Sequence, residues 1–313
     1  MIVFFDILGY KNIVSRLSSN EESELITSIN DIVKKCHKLR KKLAEGFEVN
    51  VYSFSDNFII ALKIDDETPW QSIFVFFVAI LQEIQFAIII KHGLFIRGAL
   101  VKGQLYAQKN FVYGRGLIRA YEIENRVAIY PRIIVDKELL SSILGTDEPE
   151  TSDFEDLFVT LGEIFVEDVK GEFSQQEYYR RLTISDNVRI RKDFDGNYFI
   201  SYLHQLEVLK HKHYYNNDNS MKLDLAIHLN WALINLLQHN SDKKIAKKYL
   251  WCCAYHNIFC KIMGYPTKLN INKLQRARKQ QYIRNLLLEF AYYWEKKLGN
   301  SGSGNSELGD YDI

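Results

Sequence analysis

The chain is 313 residues long, balances 40 Lys+Arg against 39 Asp+Glu for a formal net charge of +1, and is 47% apolar. That length suits about two domains, and so apolar a chain with 25% charged residues is not dominated by disorder. A near-neutral balance provides no molecule-wide field toward nucleic acid or an anionic membrane, so neither is expected as a partner.

Met1 to Leu8 is a short run rich in Val, Ile and Phe, closed by Gly9, and reads as a buried strand. Ser19-Asn20-Glu21-Glu22 resembles a helix start, after which Leu25, Ile29, Ile32, Val33, Cys36 and Leu39 recur at helical spacing to about Gly46. Glu48 to Ser55 and Phe58 to Lys63 read as strands joined by a tight Asp56-Asn57 turn. Trp70 to Lys91 reads as a long helix, whose most apolar stretch, Ile73 to Ile90, is broken by Gln82, Glu83 and Gln85. A bilayer span needs about 20 largely apolar residues, so this helix is expected to be buried in the fold. Leu94 to Val101 predicts a fourth strand, Tyr113 to Ala128 a helix, and Arg132 to Asp136 a fifth strand. A β-α-β-β-α-β order with a further α-β predicts an α+β, ferredoxin-like sandwich with an antiparallel sheet and helices on one face.

This first domain is expected to span residues 1–144. From Gly145 to Leu157 there are six acidic residues, one proline and no basic residue, which reads as a surface loop. That loop opens an extension over 145–220, with strands expected at Ile164 to Val169, Tyr178 to Ile184 and Tyr198 to Tyr202, the last entered through an Asp195-Gly196 turn. Leu, Ile, Trp and Tyr at three-to-four spacing predict a helical region over 221–298, and the Gly/Ser/Asn-rich then acidic residues 299–313 a disordered tail. Cys36, Cys252, Cys253 and Cys260 show no disulfide-framework spacing, and no cleavable signal pattern opens the chain, so a reducing cytoplasm is expected.

Cys252, Cys253, His256 and Cys260 approach one another along one helix, but structural zinc sites usually draw ligands from separated segments; helix packing is expected instead. Gly114-Arg115-Gly116 with Ala120 superficially matches a dinucleotide fingerprint and lacks the parallel βαβ context it requires. The basic run from Lys268 to Arg284 reads as a solvated helix face.

The informative pair is Asp6, inside the apolar run Phe4-Phe5-Asp6-Ile7-Leu8, and Asp56, at the hairpin tip Phe54-Ser55-Asp56-Asn57. A carboxylate in so apolar a strand is costly unless its charge is compensated. In a ferredoxin-like sandwich the first strand and the next hairpin are neighbours, so both carboxylates can converge on one sheet edge. Two hard oxygen ligands suit Mg²⁺ when a substrate phosphate completes the shell. Arg97, in the apolar strand Leu94 to Leu100, needs a carboxylate or phosphate partner, with Glu122 or Glu124 as protein candidates. Lys102, beside Gly103, is a candidate for the β- and γ-phosphates or a solvated lysine.

The runs Phe5-Asp6-Ile7-Leu8-Gly9-Tyr10, Ser55-Asp56, Arg97-Gly98-Ala99-Leu100-Val101-Lys102-Gly103 and Gly114-Arg115-Gly116-Leu117-Ile118-Arg119-Ala120-Tyr121-Glu122-Ile123-Glu124 resemble class III nucleotidyl cyclases, in particular the pyrimidine cyclases of bacterial Pycsar anti-phage systems. The resemblance covers about Met1 to Asp136, and Lys248-Tyr249-Leu250-Trp251 with Tyr255-His256-Asn257 is similar to the family's helical tail. It implies that Asp6, Asp56 and the Ile7 backbone carbonyl bind two divalent cations, Mg²⁺ or Mn²⁺. One would lower the pKa of the ribose 3′-hydroxyl for attack on the α-phosphate while the other clamps the triphosphate, releasing pyrophosphate. It also implies a head-to-tail homodimer, with Asp6 and Asp56 of one protomer facing Tyr52 and the arginines of the other. The cyclic product would act on a separate anti-phage effector.

Departures from the family pattern refine the expectation. Tyr52 stands where purine cyclases carry a base-selecting Lys or Glu, and Phe111 where adenylyl cyclases have Asp. Without those polar groups the pocket is expected to favour UTP or CTP, uracil and cytosine being left open. Ile118 and Glu122 stand where the family has a transition-state Asn and Arg, while Arg115 and Arg119, at i and i+4 near a helix start, can supply guanidinium forks to phosphate. Two alternatives are an adenylyl cyclase with an unusual pocket and a catalytically silent nucleotide-binding sensor.

Overall fold

β1 (Ile2–Ile7) is apolar at every position but Asp6 and has strands on both sides, so the rest of the sheet is built around it. The computed structural model describes residues 1–15, 23, 25–27, 29–31, 33–34, 49–64, 70–108, 111–145, 190–211, 218–239 and 242–265. β2 (Val49–Phe54), β3 (Asn57–Leu62), β4 (Ile96–Val101), β7 (Ile133–Val135), β8 (Ile190–Lys192) and β9 (Tyr198–Ile200) complete a seven-stranded sheet of order β2-β3-β1-β4-β7-β9-β8. β5 (Tyr106–Gln108) and β6 (Phe111–Tyr113) form a separate hairpin.

The chain is α+β, and its sheet is mixed. β1 runs antiparallel to β3 and β4, but β4 and β7 pair in parallel through Gly98↔Ile133, Ala99↔Ile134 and Leu100↔Val135. The expected antiparallel sheet is corrected at this point: the chain returns through α3 (Arg115–Arg126) as a crossover, and a crossover delivers a parallel strand. The glycines around Arg115 therefore do lie between parallel strands, although the β5–β6 hairpin separates them from β4.

Helices cover both faces, not one. Alternate residues of a strand point to opposite sides. Val3, Phe5 and Ile7 pack with Phe74, Phe77, Val78 and Leu81 of α2 (Trp70–His92), while Ile2, Phe4 and Val101 pack with Ala120 of α3. α1 (Tyr10–Val14) follows β1, and Leu25, Ile29 and Val33, helical residues of 23–34, join the α2 side. The glutamines that interrupt α2 are buried and bonded: Gln82 donates to Gln205 Oε1, and Gln85 to the carbonyls of Ile96 and Pro131, each at 3.4 Å. Among the described residues no helix is long and apolar enough to cross a membrane.

Two local expectations shift. The β2–β3 turn falls on Ser55-Asp56, with Ser55 left-handed at φ 57°, and Asn57 pairs with Phe54. The helix expected from Tyr113 begins only at Arg115, because Phe111–Tyr113 are spent on β6. Gly103 and Gly116 let α3 start close against the end of β4: a Cβ on Gly103 would lie 2.7 Å from the Gly116 Cα, and Gly116 N–H donates to the Gln104 carbonyl at 3.0 Å.

The chain divides into a unit of residues 1–192 and 197–224, which holds the sheet, and a unit of 193–196 and 225–313. α4 (Lys137–Leu144) and α5 (Gln205–His211) belong to the first; α6 (Asp218–Gln238) runs from the first into the second, which also holds α7 (Lys243–Ile262). In the second unit Trp251 Nε1 donates to Asp193 Oδ2 at 2.9 Å and stacks on Tyr255. His228 stacks on His256, their Nδ1 atoms 3.2 Å apart. Cys252, Cys253 and Cys260 are buried, unbridged thiols. The strands expected at 164–169 and 178–184, most of the acidic loop, the basic run at 268–284 and the tail at 299–313 lie outside the described residues.

Candidate functional site

Strand register brings the two aspartates together. Asp6 pairs with Asn57 on one side and Arg97 on the other, and Ile7 N–H donates to the Asp56 carbonyl at 3.2 Å. Ile7, the last residue of β1, therefore lies between the two carboxylate-bearing residues. Asn57 Nδ2 donates to Asp56 Oδ1 at 3.2 Å, fixing that side chain at the turn. By strand alternation Asp6 faces the α3 side, as do Ile2 and Phe4.

Arg97 takes up the Asp6 carboxylate. Its Nε lies 3.0 and 3.3 Å from the two Asp6 oxygens, and its Nη2 donates to Oδ2 at 3.1 Å. The same Nη2 lies 2.8 Å from Glu124 Oε1, an ion pair without the alignment of a hydrogen bond. Of the two glutamates considered from sequence, Glu124 is buried on α3 and Glu122 is exposed. Burial works against the Arg97 charge, but the bonds and charge of Asp6, then the charges of Glu124 and Asp56, outweigh it and hold the guanidinium above its ordinary value.

Two carboxylates thus contact one guanidinium and Asp56 acts on it at longer range, a surplus of two formal negative charges. Asp6, Asp56 and the Ile7 carbonyl are hard oxygen donors of the kind Mg²⁺ and Mn²⁺ take, and a divalent cation matches that surplus. Among the described residues no group of three or more His, Cys, Asp or Glu side chains is close enough to hold a metal ion alone. A cation here needs ligands from a bound molecule, as it commonly does when phosphates complete a Mg²⁺ shell.

Arg115 and Arg119 of α3 have separate environments. Arg119 forks onto Asp136, Nε to Oδ2 at 2.6 Å and Nη2 to Oδ1 at 2.9 Å, and reaches Glu138 at 2.8 Å. The bond to Asp136 is the chief cause that raises the Arg119 pKa. Arg115, one turn earlier, is exposed and forms no ion pair among the described residues. Ile118 and Glu122 are exposed on the same helix.

Tyr52 and Phe111, expected to contact the base, are each linked to Gln108 of the hairpin. The Tyr52 hydroxyl donates to the Gln108 carbonyl at 2.6 Å, and Gln108 pairs with Phe111, whose ring stacks on Tyr113. Tyr52 shares the sheet face of Asp6, since it pairs with Ile59 and Ile59 with Phe4. A cleft of about 770 Å³ touches the hairpin at Tyr106 and Ala107 and is lined elsewhere by residues that include Asn50, Lys63, Lys102 and Gln104. Lys102 follows the end of β4, about 16 Å along the strand from Arg97 at ~3.3 Å per residue, so one chain does not bring it to the aspartates.

The Asp6–Arg97 fork, the carboxylate partners of Arg119 and the hairpin were not anticipated from sequence. The first had a signal: in an order that places β1 beside β4, a lone acid and a lone base in two apolar strands are natural partners. Comparison of the sequence with protein-family models and with curated proteins finds no match.

Proposed function

We propose that the chain is a cytoplasmic, class III-like pyrimidine nucleotide cyclase that converts UTP or CTP to the 3′,5′-cyclic monophosphate and pyrophosphate. The observation that carries the reading is the acidic surplus of Asp6, Asp56 and Glu124 near Arg97, at one end of the interior strands β1 and β4. The β2-β3-β1-β4 order supports a ferredoxin-like sandwich as its frame.

Two divalent cations, Mg²⁺ or Mn²⁺, would supply activation of the ribose 3′-hydroxyl and neutralisation of the triphosphate. Asp6, Asp56 and the Ile7 carbonyl are the residues that would hold them. Arg115, at the first turn of α3 and without a protein counter-ion among the described residues, is the guanidinium available to phosphate oxygens; Arg119 is committed to Asp136. Tyr52 and Phe111 are each linked to Gln108, the Tyr52 hydroxyl through its carbonyl, and neither offers the charged group that reads a purine's polar edge, which suits a smaller base. The separation of Lys102 from Asp6 along β4 is compatible with a head-to-tail homodimer in which Lys102 and Tyr52 of one protomer serve the aspartates of the other. Exposed Phe54, Tyr106, Phe111, Tyr113, Ile118 and Tyr121 supply apolar surface for such an interface. The cyclic product would act on a separate effector.

The test is incubation of the protein with equimolar ATP, GTP, CTP and UTP and Mn²⁺, with products resolved by mass and Asp56→Ala alongside. A cyclic pyrimidine nucleotide absent from the variant is the expected result; a cyclic purine nucleotide would make the chain an adenylyl or guanylyl cyclase instead. Exposed Ile118 and Glu122, where the family's Asn and Arg are absent, favour one second reading, a silent nucleotide sensor. Nucleotide binding with no pyrophosphate release would establish it.

A further inference from the structure

Asp6 is the residue on which the metal reading depends, and both of its oxygens are bonded to Arg97. A carboxylate held in a guanidinium fork has its best acceptor directions occupied, and charge-assisted forks are among the stronger polar contacts in proteins. Yet Arg97 does not depend on Asp6 alone. Its Nη2 also lies 2.8 Å from Glu124 Oε1, and that glutamate is buried on α3, a different element from β1. The guanidinium is therefore held between two carboxylates on separate elements, and letting go of one leaves it compensated by the other.

Resting on the cyclase reading above, we propose that Arg97 is the resident counter-ion of Asp6: it holds the carboxylate in the metal-free protein and must release it, remaining on Glu124, before Asp6 can ligate a divalent cation. Glu124 is thereby a positioning residue, which keeps a displaced arginine charge-compensated inside a partly buried site. Two consequences follow from mass balance. Breaking the fork costs part of the metal's binding free energy, so the protein alone holds the cation weakly. Removing the guanidinium abolishes that competition and leaves the carboxylates with a larger uncompensated charge, so affinity for a bare divalent cation rises.

The probe is Mn²⁺ alone, titrated into the full-length chain without nucleotide and followed by the electron paramagnetic resonance signal of free Mn²⁺. Arg97→Met keeps volume and removes charge; it is expected to tighten Mn²⁺ binding about ten- to a hundred-fold, the equivalent of one charged hydrogen-bonded pair. Asp6→Asn is expected to abolish the gain when combined with Arg97→Met. Equal or weaker binding by Arg97→Met overturns the inference and leaves the cyclase reading standing if the wild type still binds Mn²⁺ and turns over. Absence of Mn²⁺ binding in both proteins overturns the inference, and absence of turnover with nucleotide and Mn²⁺ as well overturns the cyclase reading with it. Should Arg97→Met not fold, a titration of the wild type with Mg²⁺, observed at the ¹⁵Nε–H resonance identified by its loss in Arg97→Lys, gives the answer. A shift with faster hydrogen exchange supports release from Asp6, and an unmoved resonance overturns it.

Discussion

Asp136 stands at the N-cap position of α4 but makes no side-chain cap: both of its oxygens accept hydrogen bonds from Arg119 on α3. A cap aspartate ordinarily satisfies the first free N–H groups of its helix. Here it ties the helix that precedes β7 to the helix that follows it, and Glu138, in the first turn of α4, adds a second carboxylate to the same guanidinium.

Arg115 and Arg119 should therefore part ways on substitution. Arg119→Ala is expected to cost about 0.5–1.5 kcal/mol, more than a typical exposed pair because the fork is bidentate. Arg115→Ala should stay within about 0.5 kcal/mol of wild type, yet lower turnover about a hundred-fold or more if it carries transition-state charge. Thermal melts beside initial rates check this; equal rate losses at both positions would refute the division of labour.

Asp6→Ala and Asp56→Ala should both abolish product while differing in stability. The first leaves Arg97 with Glu124 as its close ion-pair partner and should cost about 1–3 kcal/mol. The second removes a turn carboxylate that accepts from Asn57 and should cost less than about 1 kcal/mol. Urea denaturation of each variant measures the difference, and a folded Asp56→Ala with full activity would remove the metal assignment.

Acid should weaken the second unit through its stacked histidines. Burial lowers the His256 pKa to about 4, against an ordinary value of 6.5, and His228 lies well below that value through burial and its neighbour's charge. Between these limits the unfolded chain binds protons that the folded one refuses, so stability is complete above pH 6.5 and falls as pH drops toward 4. Urea midpoints at pH 7.5 and 5 should differ for wild type and differ less for His256→Gln, in which buried His228 still refuses its proton. An unchanged difference would show that other groups govern the acid response.

Gly103→Ala should act through sterics alone. Its Cβ would sit 2.7 Å from a backbone atom, the Gly116 Cα, which cannot rotate aside. The expected cost is about 1–3 kcal/mol, or a Tm lower by about 2–10 °C, measured by calorimetry; a Tm equal to wild type would mean that α3 starts farther from β4.

The frame was legible where physics is local. Apolar runs bounded by Gly or turn residues marked β1, β3 and β4, and the interrupted apolar pattern of Trp70 to Lys91 marked a buried α2. Strand direction was not legible: Ile133–Val135 reads the same parallel or antiparallel, and only the crossover through α3 decides it. β5 and β6 are three residues each, too short for alternation to stand out. At the candidate site, a single acid among apolar residues was conspicuous, but its partner lies 91 residues away and is chosen by register. Arg119 looked like a phosphate ligand because a helix start favours anions, and the carboxylate that claims it comes from beyond β7, at the start of α4.

The alternation along β1 also divides what mutation can reveal. Val3, Phe5 and Ile7 point into the packing beneath α2, while Ile2, Phe4 and Asp6 point toward α3 and the acidic cluster. Polar replacements at the first three should empty the soluble fraction of the cell extract, with nothing left to assay. At Asp6 the folded protein should survive and its chemistry change, so a saturation scan would turn from yield to function within a single step of backbone.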